Sequence, residues 1–131
     1  MTTPKSALRT PLGRVRGLGA AKEGTGHFIA QRVSALALMF LLPWFMIAAA
    51  LSFKGGHDAA RAFVAHPINS VLLVLFVAAA FYHMRLGLQV VIEDYLTKPV
   101  GKTLALLGNS FFTIALTVVA VWAILRVSFG G

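Results

Sequence analysis

Apolar positions gather into three long stretches along this chain, each bounded by basic residues, glycines or prolines. The first runs from about Phe28 to Phe53, and between Arg32 and Lys54 it holds 21 residues without a charge. At 1.5 Å per residue that is about 32 Å of helix, enough for a hydrocarbon core of about 30 Å. Pro43 lies inside it and is expected to kink the helix, which membrane helices tolerate when neighbours satisfy the freed carbonyl. The second stretch extends from about Pro67 to Ile92. Pro67 suits a first helical turn, where its missing N–H costs nothing. From Val71 to Tyr82 every residue is apolar or aromatic, but His83, Arg85 and Gln89 follow. This helix therefore cannot face lipid all round. The third stretch runs from about Thr103 to Leu125, interrupted only by Asn109, Ser110, Thr113 and Thr117. Residues 54–66 read as a short polar connection, and Glu93 to Lys102 as a loop with Pro99 and Gly101 as breakers. The pattern predicts an all-α integral membrane protein: one domain over 1–131, with transmembrane helices at about 28–53, 67–92 and 103–125.

Composition sharpens this. Of 131 residues, 58% are hydrophobic and 12% charged, against about 25% charged in ordinary soluble domains. The net charge of +8 does not imply nucleic acid, because the basic residues flank apolar segments instead of lining one surface. With no cysteine, disulfides, thiolate metal sites and iron–sulfur ligation are excluded. Seven basic residues (Lys5, Arg9, Arg14, Arg16, Lys22, Lys98 and Lys102) fall on the N-terminal side of the membrane, and three (Lys54, Arg61 and Arg126) on the other. The N-terminus, with its basic segment 1–27, is therefore expected in the cytoplasm. Pro4, Pro11 and five glycines among residues 1–26 break the amphipathic pattern of a transit peptide. That favours a bacterial plasma membrane over the mitochondrial inner membrane.

The chemistry concentrates in His83 to Tyr95, HMRLGLQVVIEDY. Each residue turns a helix by about 100°, so Asp94 falls about 20° from His83 and about 16 Å further along the axis. Gly87 lies near the same stripe and removes a side chain beside the histidine. A histidine within a span is expensive and serves a ligand, a pathway or a hydrogen bond to a neighbouring helix. Its neutral imidazole is a common axial ligand for haem iron. Both readings stay open on position alone. If His83 binds haem, a second axial histidine must come from another chain, since His27 is interfacial and His57 and His66 lie in the outer connection. Arg32, at the start of the first span, can pair with propionates or a quinone oxygen, or anchor to lipid phosphate. Arg85 lies about 200° around the helix from His83, yet can reach propionates or a neighbour. Tyr95 can donate a hydrogen bond to a quinone carbonyl with Asp94 relaying a proton, or belong to the interfacial aromatic belt.

HMRLGLQVVIEDY resembles the signature of the smaller hydrophobic membrane anchor of succinate dehydrogenase, respiratory complex II. The matching pattern is a histidine, a glycine four residues on, and Asp-Tyr at eleven and twelve. The three-span layout and the segment PLGRVRGLGAAKEGTGHFIAQRVSALAL are similar to the alphaproteobacterial members. The resemblance implies half of a heterodimeric anchor bundle that holds one haem b between a histidine from each anchor. It makes His83 this chain's axial ligand, Tyr95 and Asp94 contributors to the ubiquinone site, and Gly87 a haem-packing position. Arg32, by a looser match, would lie near the propionates and quinone pocket. The implied partners are a second membrane anchor, the iron–sulfur protein, the flavoprotein and the lipid bilayer. This chain would perform no succinate chemistry itself, having no flavin or iron–sulfur motif. Alternatives are a fumarate reductase anchor, a purely structural anchor with His83 unliganded, and a small transporter with a His/Arg polar path. The transporter lacks the expected duplicated halves.

Overall fold

The computed structural model describes Leu12 and residues 21–130. From residue 21 onward four helices follow one another among the described residues: α1 (Ala21–Lys54), α2 (Gly56–Ala65), α3 (Pro67–Tyr95) and α4 (Pro99–Ser128). Among the described residues there is no strand. The chain falls into two compact units, Met1–Ala30 and Gln31–Gly131, and the packing described below lies in the second. The expected basic segment 1–27, with its transit-peptide question, falls for the most part outside the described residues.

Among the described residues three helices are long and apolar enough to cross a membrane: Gly24–Lys54, Pro67–Tyr95 and Pro99–Ser128. They match the three expected spans, with differences at the ends. α1 is helical through Pro43, whose missing N–H leaves the Met39 carbonyl without its intrahelical donor. α3 starts at Pro67 as expected and continues to Tyr95. The predicted loop from Glu93 to Lys102 shrinks to residues 96–98 because Pro99 begins α4 instead of breaking a helix. A proline at a first helical position forgoes only an N–H that had no partner.

The connection at 54–66 is also a correction, since most of it is helix. α2 places Ala59 and Phe63 towards α1, and Asp58 sits in its first turn, where a carboxylate complements the helix dipole. Trp44 of α1 and Phe63 of α2 lie with ring centroids 6.0 Å apart. The two helices enclose an open apolar groove of about 480 Å³. The corner between them depends on two glycines. Gly56 adopts φ +76°, a left-handed conformation that favours glycine, and a Cβ on Gly55 would collide with Ala59.

α3 and α4 form an antiparallel pair, and α2 lies against both. Ser70, near the start of α3, shares a 2.9 Å hydrogen bond with Ser128 at the end of α4. At the other end Lys102 Nζ donates to the Glu93 carbonyl at 3.1 Å. α1 meets α3 through stacked Phe45 and Phe76 rings, 4.6 Å apart.

Burial is inverted relative to a water-soluble protein. Among the described residues the most enclosed are the small polar Thr113 (3% exposed), Ser70 (5%) and Ser34 (6%) together with Leu73 (6%) and Leu86 (7%), while Phe40 and Phe111 are more than 70% exposed. Water would penalise such a surface heavily. In lipid, helices associate through close packing of small residues and interhelical hydrogen bonds, and large apolar side chains face outward. Thr113 and Thr117 each return their hydroxyl to the carbonyl four residues earlier, at 2.7 and 2.8 Å. Asn109, in line with them, donates across the interface to the Arg85 carbonyl at 3.0 Å.

Candidate functional site

His83 lies within α3, half-buried, with its ring turned to α1. Its Nδ1 stands 3.0 Å from the Ser34 hydroxyl oxygen. Ser34 in turn donates to the Gln31 carbonyl one turn earlier in α1, also at 3.0 Å. A serine hydroxyl back-bonding to its own helix is a common arrangement; here the same oxygen also reaches a second helix. His83 Nε2 makes no hydrogen bond among the described residues.

Gly87 follows His83 by one turn, and a Cβ there would sit 4.0 Å from Gln31 Nε2. That is ordinary contact, so Gly87 lies beside α1 below the histidine. Its spacing from His83 marks this glycine in the sequence, whereas nothing marks Ser34 and Gln31. A serine or glutamine near the start of a span carries no distinguishing signal until its partner in space is known.

The other predicted residues are not gathered into one cluster. Arg32 is exposed on α1, about 200° around the helix from Ser34. Arg85 is half-buried on α3, and its backbone carbonyl is taken by Asn109 of α4. Asp94 and Tyr95 end α3, both exposed, Tyr95 at 81%. Their side chains make no hydrogen bond or ion pair among the described residues. Gln89 donates to Glu93 Oε1 at 2.9 Å on the same helix, so the Tyr95 end of α3 carries an exposed polar surface. The stretch from His83 to Tyr95 remains one uninterrupted helix, preserving the expected axial offset between His83 and Asp94.

The donor set suits a preassembled group. Among the described residues, no three His, Cys, Asp or Glu side chains cluster as a metal site. One imidazole, tethered at Nδ1 and with no hydrogen bond at Nε2 among the described residues, would suit a coordination sphere built by something else. A haem, whose porphyrin supplies four nitrogens, needs only such an axial donor from this chain. The residues present fit that role.

Among the described residues, three helices long and apolar enough to cross a membrane, with a histidine held inside the second of them, define a protein of the multi-span membrane class. Residues 6–125 match the family described as succinate dehydrogenase/fumarate reductase transmembrane subunit, and the chain belongs to this family. It is 34% identical over 121 residues to the succinate dehydrogenase hydrophobic membrane anchor subunit of Paracoccus denitrificans, covering 92% of this chain and 93% of the relative. The protein of the same description from Rickettsia bellii (strain RML369-C) is 30% identical over 113 residues, covering 86% and 90%. No solved structure matches.

Proposed function

We propose that this chain is the hydrophobic anchor of a succinate:ubiquinone oxidoreductase, performing no succinate chemistry itself. The observation that carries the reading is His83, an imidazole within a candidate membrane span with one nitrogen tethered and the other without a partner among the described residues. The relatives' description as succinate dehydrogenase anchors supports the same assignment. Bound haem b would supply a one-electron redox centre within the membrane, shared with a second anchor protein that provides the other axial ligand. His83 supplies this chain's axial nitrogen, with Gly87 leaving room beside it.

Tyr95 and Asp94 lie at the end of the same helix, exposed and without partners among the described residues. The tyrosine hydroxyl donates to a quinone carbonyl, and Asp94 delivers one of the two protons that reduction to the quinol consumes, the other coming from solvent. Arg32 and Arg85 provide cationic partners for propionates or the quinone. The excess of basic residues favours this end, the N-terminus and segment 1–27 on the cytoplasmic side of a bacterial plasma membrane. The iron–sulfur protein and the flavoprotein dock there, and electrons from succinate reach ubiquinone. Chain 1–131 acts as a single anchor domain.

The experiment is affinity purification through a tag on this chain from native membranes, followed by a succinate:ubiquinone reductase assay. A flavoprotein and an iron–sulfur protein co-purifying with activity support the reading. Recovery of the chain without either, with substrate counterflow in liposomes, would support a transporter instead. Net fumarate reduction with a low-potential quinol as the preferred donor would reverse the assigned direction.

A further inference from the structure

We propose that Ser34 is a positioning residue that fixes the tautomer and orientation of His83, directing the Nε2 lone pair at the haem iron. This rests on the reading of His83 as an axial ligand and adds a residue from a different helix to that site.

Proton counting carries the argument. Ser34 is buried, and its oxygen lies 3.0 Å from both the Gln31 carbonyl and His83 Nδ1. A hydroxyl has one proton to donate, and a carbonyl can only accept. If Ser34 donates to Gln31, the contact to His83 is a hydrogen bond only when Nδ1 carries the proton and donates it. Both contacts are then satisfied, and Nε2 is left with its lone pair. In the other tautomer Ser34 would donate to Nδ1 and lose Gln31. Nε2 would then carry a proton that finds no acceptor among the described residues. Within a membrane span no water replaces the missing acceptor, so a donor left unmet there is costly and the first arrangement wins. It is also the one that can ligate a metal.

The chain of bonds runs Nδ1–H to Ser34 to Gln31, and it ends on the backbone of α1. The imidazole is thereby held by a rigid element instead of by a mobile side chain. A hydrogen bond accepted from the far ring nitrogen makes the near one a stronger donor and limits ring rotation. A stronger axial donor stabilises ferric over ferrous iron, so Ser34 holds the haem potential down.

The test is a redox titration and haem quantification on intact complexes purified through this chain, for wild type, Ser34→Ala and Ser34→Thr. Ser34→Ala is expected to shift the haem midpoint potential positive and to weaken haem retention by about 10–100-fold, the usual effect of losing such a partner. Ser34→Thr keeps a hydroxyl and should return both to the wild-type values. A residue that merely joined α1 to α3 would change assembly and leave the potential of the assembled fraction unmoved. An unshifted potential in Ser34→Ala with full haem therefore overturns the proposal. Should Ser34→Ala not assemble, Ser34→Thr and Ser34→Val differ by a hydroxyl against a methyl at nearly equal volume. Equal potentials in that pair would also overturn it. Failure of the underlying reading is separable: the wild-type complex would then lack haem, or its haem spectrum would survive His83→Ala unchanged.

Discussion

Ser70 and Ser128 share a 2.9 Å hydrogen bond across 58 residues of sequence, tying the start of α3 to the end of α4. The Ser70 oxygen also reaches the carbonyls of Val64 and His66. One hydroxyl proton cannot serve all of these, so Ser128 donates to Ser70 while Ser70 donates to a carbonyl at the α2–α3 turn. Three helices meet on a side chain that is 5% exposed.

Ser70→Ala should therefore lower the unfolding free energy by roughly 1 kcal/mol, the net worth of a typical hydrogen bond. Denaturant unfolding of the complex in detergent would measure it. Ser128→Ala should cost no more, and the double substitution should cost less than the two single losses added, because both remove the same bond. Strict additivity would mean that the pair is uncoupled.

The α1–α2 corner gives a sharper case. Gly55→Ala places a methyl group against Ala59, and overpacking of this kind costs about 1–3 kcal/mol. Ala59→Gly removes the obstructing atom, so the double variant should recover part of the lost thermal stability. No recovery would show that the backbone at Gly55, and not the Ala59 methyl group, sets the requirement.

Gly87 distinguishes small from large additions. The nearest atom to a Cβ there is Gln31 Nε2 at 4.0 Å, which is ordinary contact. Gly87→Ala should assemble normally with its haem spectrum little changed. Gly87→Leu would push α1 away from α3 and disturb the Ser34–His83 hydrogen bond, lowering haem content. Equal haem content in both variants would separate Gly87 from the histidine site.

Tyr95 is 81% exposed at the end of α3, so removing its hydroxyl should leave folding and haem content intact. Tyr95→Phe is expected to reduce quinone turnover by about 10²–10⁴-fold if its hydroxyl participates in proton transfer. Steady-state reductase assays with varied ubiquinone would show the loss. Unchanged turnover and quinone affinity would remove Tyr95 from the quinone site.

Much of this arrangement is legible from sequence because lipid imposes length and hydropathy on each crossing segment. His83 stands out for the same reason: a titratable group within such a segment is conspicuous. Ser34 does not, since its role arises from a contact with a residue 49 positions away. Pro99 and the 54–66 connection misled for a local reason. Proline both ends and begins helices, and a ten-residue helix with His57, Asp58 and Arg61 on its surface has the composition of a loop. Asn109, Thr113 and Thr117 were visible as polar positions in a span. Only the packed structure shows that Asn109 reaches the Arg85 carbonyl whereas the threonines bond within α4.

The most direct measurement is an optical difference spectrum of the complex purified through this chain, first with succinate and then with dithionite. A b-type band reduced by succinate in the wild type and lost in His83→Ala is the expected result. It joins electron entry from the dehydrogenase to an axial ligand on α3. A complex that co-purifies with its dehydrogenase but shows no such band, or keeps the band unaltered in His83→Ala, would contradict the assignment of His83.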